Sequence, residues 1–301
     1  MSLGNGTVET FTLDDRFQMI GQELKKGSDV LQKYVYGYGH LDDQTGLPDA
    51  TKNNGQLSLI ESWIGTSKQA TQTFRYDHIG RLKESAEYRG DNGSLTYKQV
   101  FDFDRFGNLY RKAASNSTSG QQNPIAYTAI EDSDISKATN RFTSNTTYDD
   151  AGQVVSDNKF RSMNFAYDAN GRQIKASRAS VPDAWTVYDA GGNRVATKIN
   201  NQWQYMVYDA MGKLVAEYGQ PSDGLGGVSY VQQDWQGSVR TVTNGIGFVM
   251  ARTDHQAFGG EIGYGIGQRS IEQGYNLDKV TQQGFSLTER DDASVVISKS
   301  I

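Results

Sequence analysis

Tyr167-Asp168-Ala169-Asn170-Gly171-Arg172 is a six-residue stretch to which this 301-residue chain keeps returning. Near-copies stand at Tyr76-Asp77-His78-Ile79-Gly80-Arg81, Phe103-Asp104-Arg105-Phe106-Gly107-Asn108 and Tyr148-Asp149-Asp150-Ala151-Gly152-Gln153. Two more are Tyr188-Asp189-Ala190-Gly191-Gly192-Asn193 and Tyr208-Asp209-Ala210-Met211-Gly212-Lys213, and Asp234-Trp235-Gln236-Gly237 is a weaker seventh. The pattern is aromatic, Asp, two variable residues, Gly, polar. Recurrence at a period of roughly twenty residues marks a repeat architecture.

Asp followed three positions later by Gly suits a type I turn. The carboxylate accepts from backbone N–H groups ahead of it, and Gly supplies the positive φ that other residues resist. A type I turn closed by a left-handed residue makes a short hairpin loop with a bulge. On that register Asp168 pairs with Arg172, and each aromatic faces the second residue after its Gly. The expected facing pairs are Tyr76 with Leu82, Phe103 with Leu109, Tyr148 with Val154 and Tyr208 with Leu214. After Gly171 and Gly192 the aliphatic residue arrives one position late, as Ile174 and Val195, so a longer loop or a bulged second strand is expected there. One such hairpin is marginal alone, because an aromatic–aliphatic cross-strand pair contributes roughly 0.2–1 kcal/mol. Stacked hairpins are stable.

Composition agrees with a strand-rich chain: 33 Gly, 17 Tyr and only 4 Pro. The net charge of −5, with basic residues scattered, argues against nucleic acid or an anionic membrane as the main partner. There is no cysteine, so neither a disulfide framework nor a thiolate metal site is expected. No apolar run reaches the length of a membrane span, and Met1 to Thr10 lacks a signal-peptide core. Met1-Ser2-Leu3 reads as a cloning start and the abrupt end as that of an excised piece.

Residues 1–72 read as divergent strands and loops, with strands at Phe17 to Ile20 and Tyr34 to Tyr36, a loop from Asp42 to Gly55, and a strand or short helix from Leu57 to Trp63. Residues 73–218 carry the repeats, interrupted from Ala113 to Asn140. Residues 219–292 carry further hairpins, one about Asn244-Gly245, and 293–301 form a separate tail.

A search for chemistry assigns no catalytic, cofactor-binding or metal-binding residue, and no cofactor. His40, His78 and His255 are far apart and read as solvated or capping. Glu131, Asp132 and Asp134 lack the spacing and closing Glu of a calcium loop, so they read as a solvated acidic turn. Neither a His-Glu-x-x-His helix nor a Gly-x-Ser-x-Gly elbow is present. The repeat aspartates are taken up by their turns.

With the series in view, the chain resembles the YD-repeat family, also called Rhs repeats, which includes bacterial polymorphic-toxin shells and animal teneurins. The Tyr-Asp with Gly three residues on matches at Tyr76, Tyr148, Tyr167, Tyr188 and Tyr208. Asp234 to Arg240 is similar to the family's Asp-His-Leu-Gly-Ser-Val-Arg element, and Asp254 to Glu261 to its Asp-Tyr-x-Pro-Phe-Gly-Glu element, with Ala257 in place of Pro and Gly260 in place of Glu. Gly284 to Asp291 is similar to the Glu-Arg-Asp stretch that leads into the family's core. After Asp292 the expected Arg-Tyr-Tyr-Asp-Pro segment is missing, so self-cleavage is carried over to no residue.

The resemblance implies an all-β fold, antiparallel hairpin repeats in a spiralling sheet that forms part of a shell. It also implies a non-enzymatic scaffold, secreted or at the cell surface within a larger protein, whose partners are a polypeptide cargo or adjoining shell segments. A carbohydrate-binding surface is the alternative, with Trp185 and Trp203 as the residues to test. Against it, the leading reading places these rings over the sheet's hydrophobic face. Open sheet edges invite self-association, or a tail strand from Val295 to Ile297 laid over an edge.

Overall fold

Each Asp–Gly stretch whose turn is visible is a hairpin corner, built the same way from its first copy to its last. The structure, a computed structural model, describes residues 1–111, 115–116, 129–160, 162–199, 201–208, 210, 214–219, 229–234, 236, 238–259 and 261–262. At Asp77 the backbone N–H donates to the Arg81 carbonyl at 2.8 Å and Gly80 N–H returns to the Asp77 carbonyl at 3.0 Å. The Asp77 carboxylate accepts from the N–H groups of Ile79 and Arg81, at 3.0 and 2.9 Å. Gly80 sits at φ +88°. The same backbone pair of bonds closes the corners at Asp104, Asp149, Asp168 and Asp189. Asp209 and Gly212 lie outside the described residues.

These corners order the strands as a meander. The first sheet runs β1 (Thr7–Leu13), β2 (Met19–Lys26), β3 (Asp29–Tyr38), β4 (Leu57–Ile64), β5 (Ser67–Tyr76), β6 (Leu82–Arg89), β7 (Leu95–Phe103) and β8 (Leu109–Arg111), each hydrogen-bonded to the next. A short β9 (Ser115–Asn116) also pairs with β7. The second sheet runs β10 (Thr146–Tyr148), β11 (Val154–Asp157), β12 (Met163–Tyr167), β13 (Gln173–Ser177), β14 (Ala184–Tyr188), β15 (Arg194–Ile199), β16 (Gln202–Tyr208) and β17 (Leu214–Tyr218). Three further strands, β18 (Ser229–Gln233), β19 (Val239–Asn244) and β20 (Val249–Arg252), make a third sheet, and β21 (Asp254–His255) pairs with β22 (Glu261–Ile262). Every pairing is antiparallel, and among the described residues there is no α-helix. The repeats of residues 73–218 thus divide between two sheets, β5 to β9 in one and β10 to β17 in the other.

All four expected facing pairs are present: Tyr76 with Leu82, Phe103 with Leu109, Tyr148 with Val154 and Tyr208 with Leu214. After Gly171 and Gly192 the second strand is bulged, one of the two expected outcomes, but the bulge is not peculiar to these copies. Tyr167 faces Gln173 and Tyr188 faces Arg194, in the same register as the others. Ile174 and Val195 occupy the bulge that follows, the place Lys83 and Val155 take in their own repeats. The Asp cap and the positive-φ glycine set the loop length, so a polar residue can stand opposite the tyrosine without shifting it.

Leu57 to Trp63 is strand, because it is sandwiched in register between β3 and β5. Phe17 and Gln18 belong to a corner rather than a strand. Asp14 N–H donates to the Gln18 carbonyl and Asp14 Oδ1 accepts from Arg16 and Gln18 N–H, with Phe17 itself at φ +60° where other corners have Gly. Asn244 caps the β19–β20 corner in the same way.

Tyrosine recurs because its hydroxyl fastens one hairpin to the one before. Tyr38 donates to the Met19 carbonyl (2.8 Å), Tyr76 to Leu57 (2.6 Å), Tyr167 to Val154 (2.8 Å), Tyr188 to Gln173 (3.0 Å) and Tyr208 to Arg194 (2.9 Å). In each case the acceptor is the first residue of the preceding hairpin's return strand. Phe103 has no hydroxyl to give, and the Arg81 guanidinium sits 4.6 Å from its ring instead.

Candidate functional site

One face of the first sheet is buried yet unusually polar. Tyr36, Ile60, Gln72, Glu87 and Tyr97 stand opposite one another from β3 to β7, and all are buried. Gln22, Gln32, Ser85 and Gln99 share that burial. The reason is what lies on them. The stretch from Gln233 to Phe258 crosses the strands and asks for hydrogen-bond partners that aliphatic residues cannot give. Gln22 Nε2 donates to the Gln233 carbonyl (2.7 Å), Gln72 Nε2 to the His255 carbonyl (3.2 Å) and Gln99 Nε2 to Gln256 Oε1 (2.9 Å). Asn5 Nδ2 reaches Thr243 Oγ1 and the Asn244 carbonyl, and Phe101 meets Phe258 edge-on at 4.8 Å.

At the centre of this strap stands Arg240, with only 5% of its side chain exposed. Its Nε and Nη2 bind Asp234 Oδ2 at 2.9 and 2.8 Å, and its Nη1 binds Asp254 Oδ1 at 3.1 Å. The guanidinium lies 5.3 Å over the Tyr34 ring, whose hydroxyl donates to Asp254 at 3.2 Å. Burial opposes the charge, but Asp234, Tyr34 and Asp254 outweigh it and hold the Arg240 pKa above its ordinary value. Burial, and then Arg240, push the His255 pKa down, while its Nε2 lies 3.1 Å from the Val239 carbonyl. Burial likewise raises Tyr36 well above a free phenol.

This arrangement holds two segments together. Every polar atom of Arg240 named above faces a carboxylate or a ring, and the Asp234 carboxylate also caps the N–H groups of Gln236 and Ser238. Sequence reasoning placed Asp234, Arg240 and Asp254 in two separate motifs and did not bring them together. The signal available was an Asp corner followed six residues later by an Arg, in a chain whose other corners end in surface residues.

Of the remaining sequence candidates, His40 and His78 are exposed on the loops after β3 and β5, and His255 is part of the strap. Asp132 pairs with Lys137 (2.8 Å) and Asp134 with Lys159 (2.7 Å). Among the described residues no group of three or more His, Asp or Glu side chains is placed to hold a metal ion.

The aromatic expectation is corrected. Trp185 and Trp203 are 41% and 39% exposed, on the face of the second sheet opposite its core of Met163, Phe165, Ala176, Ala184 and Ile199. Small alanines fill the buried face, so the large rings take the other one. Lys175, Trp185, Lys198 and Trp203 form one cross-strand row, with Lys175 Nζ 5.0 Å from the Trp185 ring and Tyr205 stacked on Trp203 at 6.4 Å.

The molecule is therefore an all-β protein of antiparallel hairpin repeats with a buried polar strap. No protein-family model matches the chain, and no curated protein matches it. Among solved structures it is similar to a chain of the Photorhabdus luminescens Tc holotoxin pore carrying a TccC3 mutation, at 14% identity and TM-score 0.58, over 86% of this chain and 15% of that one. It is also similar to a chain of the TcdB2–TccC3 structure (17% identity, TM-score 0.57, 86% and 15% covered) and to one of TcdB2–TccC3–Cdc42 (16%, 0.55, 86% and 15%). The chain thus spans 15% of the length of these matches, and what it shares with them is the fold.

Proposed function

We propose that the chain is a non-enzymatic scaffold segment of a YD-repeat shell, secreted or at the cell surface, which with adjoining sheet encloses a polypeptide cargo. The observation that carries this reading is the set of five tyrosine hydroxyls, on Tyr38, Tyr76, Tyr167, Tyr188 and Tyr208, that tie a hairpin to its predecessor. They make a sheet that extends by addition of like units. The corner carboxylates support the absence of catalysis, because each is committed to backbone N–H groups ahead of it. To test enclosure, the chain is purified with whatever its native reading frame encodes on either side and digested with a broad protease. A protected polypeptide, cleaved only after the shell is denatured, is the expected result. Immediate digestion of everything outside the sheet contradicts enclosure. Turnover of a hydrolase substrate that vanishes on mutating one Asp or His contradicts the non-enzymatic role.

A second reading, a carbohydrate-binding surface, is favoured by the exposure of Trp185 and Trp203, since stacking on sugar rings needs an accessible aromatic face. Glycan-array binding lost in Trp185→Ala and Trp203→Ala supports it. An array without hits removes it.

A further inference from the structure

On the face away from the strap, the first sheet carries a row of Lys33, Trp63 and Lys68, each opposite the next on β3, β4 and β5. That row is satisfied from within. Glu61 accepts from Trp63 Nε1 at 3.3 Å and from Lys68 Nζ at 3.2 Å. The Lys33 and Lys68 ammonium groups stand 6.0 and 5.9 Å from the centre of the indole, which is half-buried.

The second sheet builds a row of the same kind, Trp185, Lys198 and Trp203 on β14, β15 and β16, without the carboxylate. Glu61 stands two residues before Trp63. The equivalent residue before Trp185 is Asp183, already paired with Lys175 at 2.6 Å, and before Trp203 it is Asn201. The neighbouring row of Val187, Ala196, Tyr205 and Tyr218 supplies no acidic group either. Among the described residues, therefore, the Lys198 ammonium has no partner and the two indole N–H groups have no acceptor. Val187, Tyr205, Val207 and Tyr218 are exposed beside the two tryptophans, and a cluster of exposed apolar side chains on one face marks a binding surface.

We propose that this face binds an acidic oligosaccharide, with sugar rings laid on Trp185 and Trp203 and a carboxylate between them on Lys198. The proposal rests on the carbohydrate reading above and adds the charge of the ligand. The ligand supplies what Glu61 supplies in the first sheet, an anion for the lysine and oxygen acceptors for the indole N–H groups. Trp185 and Trp203 are two strands apart, roughly 9–10 Å, which leaves room for the charged group above Lys198. An extended peptide finds no hold here. The backbone groups of these inner strands are engaged in their own ladders, and peptides add at open edges instead.

Calorimetric titration with fragments of polygalacturonate, alginate and hyaluronan, each beside its carboxyl-reduced neutral counterpart, tests it. The wild-type chain is expected to bind at least one acidic fragment, and to bind the reduced counterpart about tenfold more weakly or worse. That preference should shrink as salt is added. Lys198→Gln is expected to abolish the preference and Lys198→Arg to keep it, while Trp185→Ala or Trp203→Ala loses acidic and neutral ligands alike. Unchanged far-UV spectra and melting profiles certify that the variants are folded. Equal binding of acidic and reduced fragments, or a preference that survives Lys198→Gln, overturns the acidic ligand and leaves the carbohydrate reading standing. Absence of binding to every fragment, acidic and neutral, overturns both.

Discussion

A Cβ added at Gly192 would touch nothing within 4 Å, yet the residue sits at φ +90°. Its role is conformational, so Gly192→Ala is expected to cost about 1–2 kcal/mol in urea unfolding, and Gly192→Asn less. Tyr167→Phe removes the hydroxyl that donates to Val154 and is expected to cost about 0.5–1.5 kcal/mol. Tyr205→Phe, on the exposed face, should stay within about 0.5 kcal/mol of wild type. Equal effects at the two tyrosines would contradict the tie between hairpins. The corners were legible in sequence because Asp and Gly each have a local reason to be there. The aliphatic residue after Gly was a poor ruler, since Gln173 and Arg194 face tyrosines just as Leu82 does. The Asp14 corner escaped notice because Phe17 adopts the left-handed conformation usually left to Gly.

Among elements, the strap was the part least visible in advance. Periodicity finds buried faces through apolar residues, and this one is lined with Gln22, Gln72, Gln99 and Glu87. Their burial follows from a backbone segment far along the chain, which no local pattern encodes. Asn5 shows the same limit: it stands in a glycosylation-type triplet, but its amide is buried against Thr243. Arg240→Met leaves Asp234 and Asp254 buried without their cation and is expected to cost about 3–5 kcal/mol. Asp254→Asn, which keeps a hydrogen-bond acceptor, should cost less. The neighbouring His255 has its pKa lowered on folding, so the unfolded chain binds its proton more readily. Its contribution is complete above the unfolded value of 6.5 and is lost as pH falls toward the folded value. Urea midpoints should therefore decline between about pH 7.5 and 5.5, and His255→Gln should flatten that decline. An unchanged slope in the variant would place the titration elsewhere.

For the whole molecule, the corners make acid the natural denaturant. Burial resists it, but bonds from Asn108 hold Asp104 at about 2, Asp77 and Asp168 are lowered by the N–H groups they cap, and Asp189 is lowered by the Asn193 side chain and then by its backbone N–H. Carboxylates lowered on folding contribute fully above their unfolded pKa, and that contribution disappears as pH falls through the folded value. Melting temperature should fall steeply from about pH 4 toward pH 2, and a flat profile would mean the caps contribute nothing. The central claim is that successive corners bring neighbouring strands into one fixed register. The natural absence of cysteine allows a clean test by double-cysteine cross-linking. Ala176 faces Ala184 across β13 and β14, between the Asp168 and Asp189 corners, a spacing that a disulfide can bridge. Oxidation of Ala176→Cys with Ala184→Cys should close the bond in nearly every molecule. Ala176→Cys with Trp185→Cys, one residue out of register and on the opposite face, should stay reduced. Equal linking of both pairs, or linking of the second alone, would contradict the hairpin sheet on which the account stands.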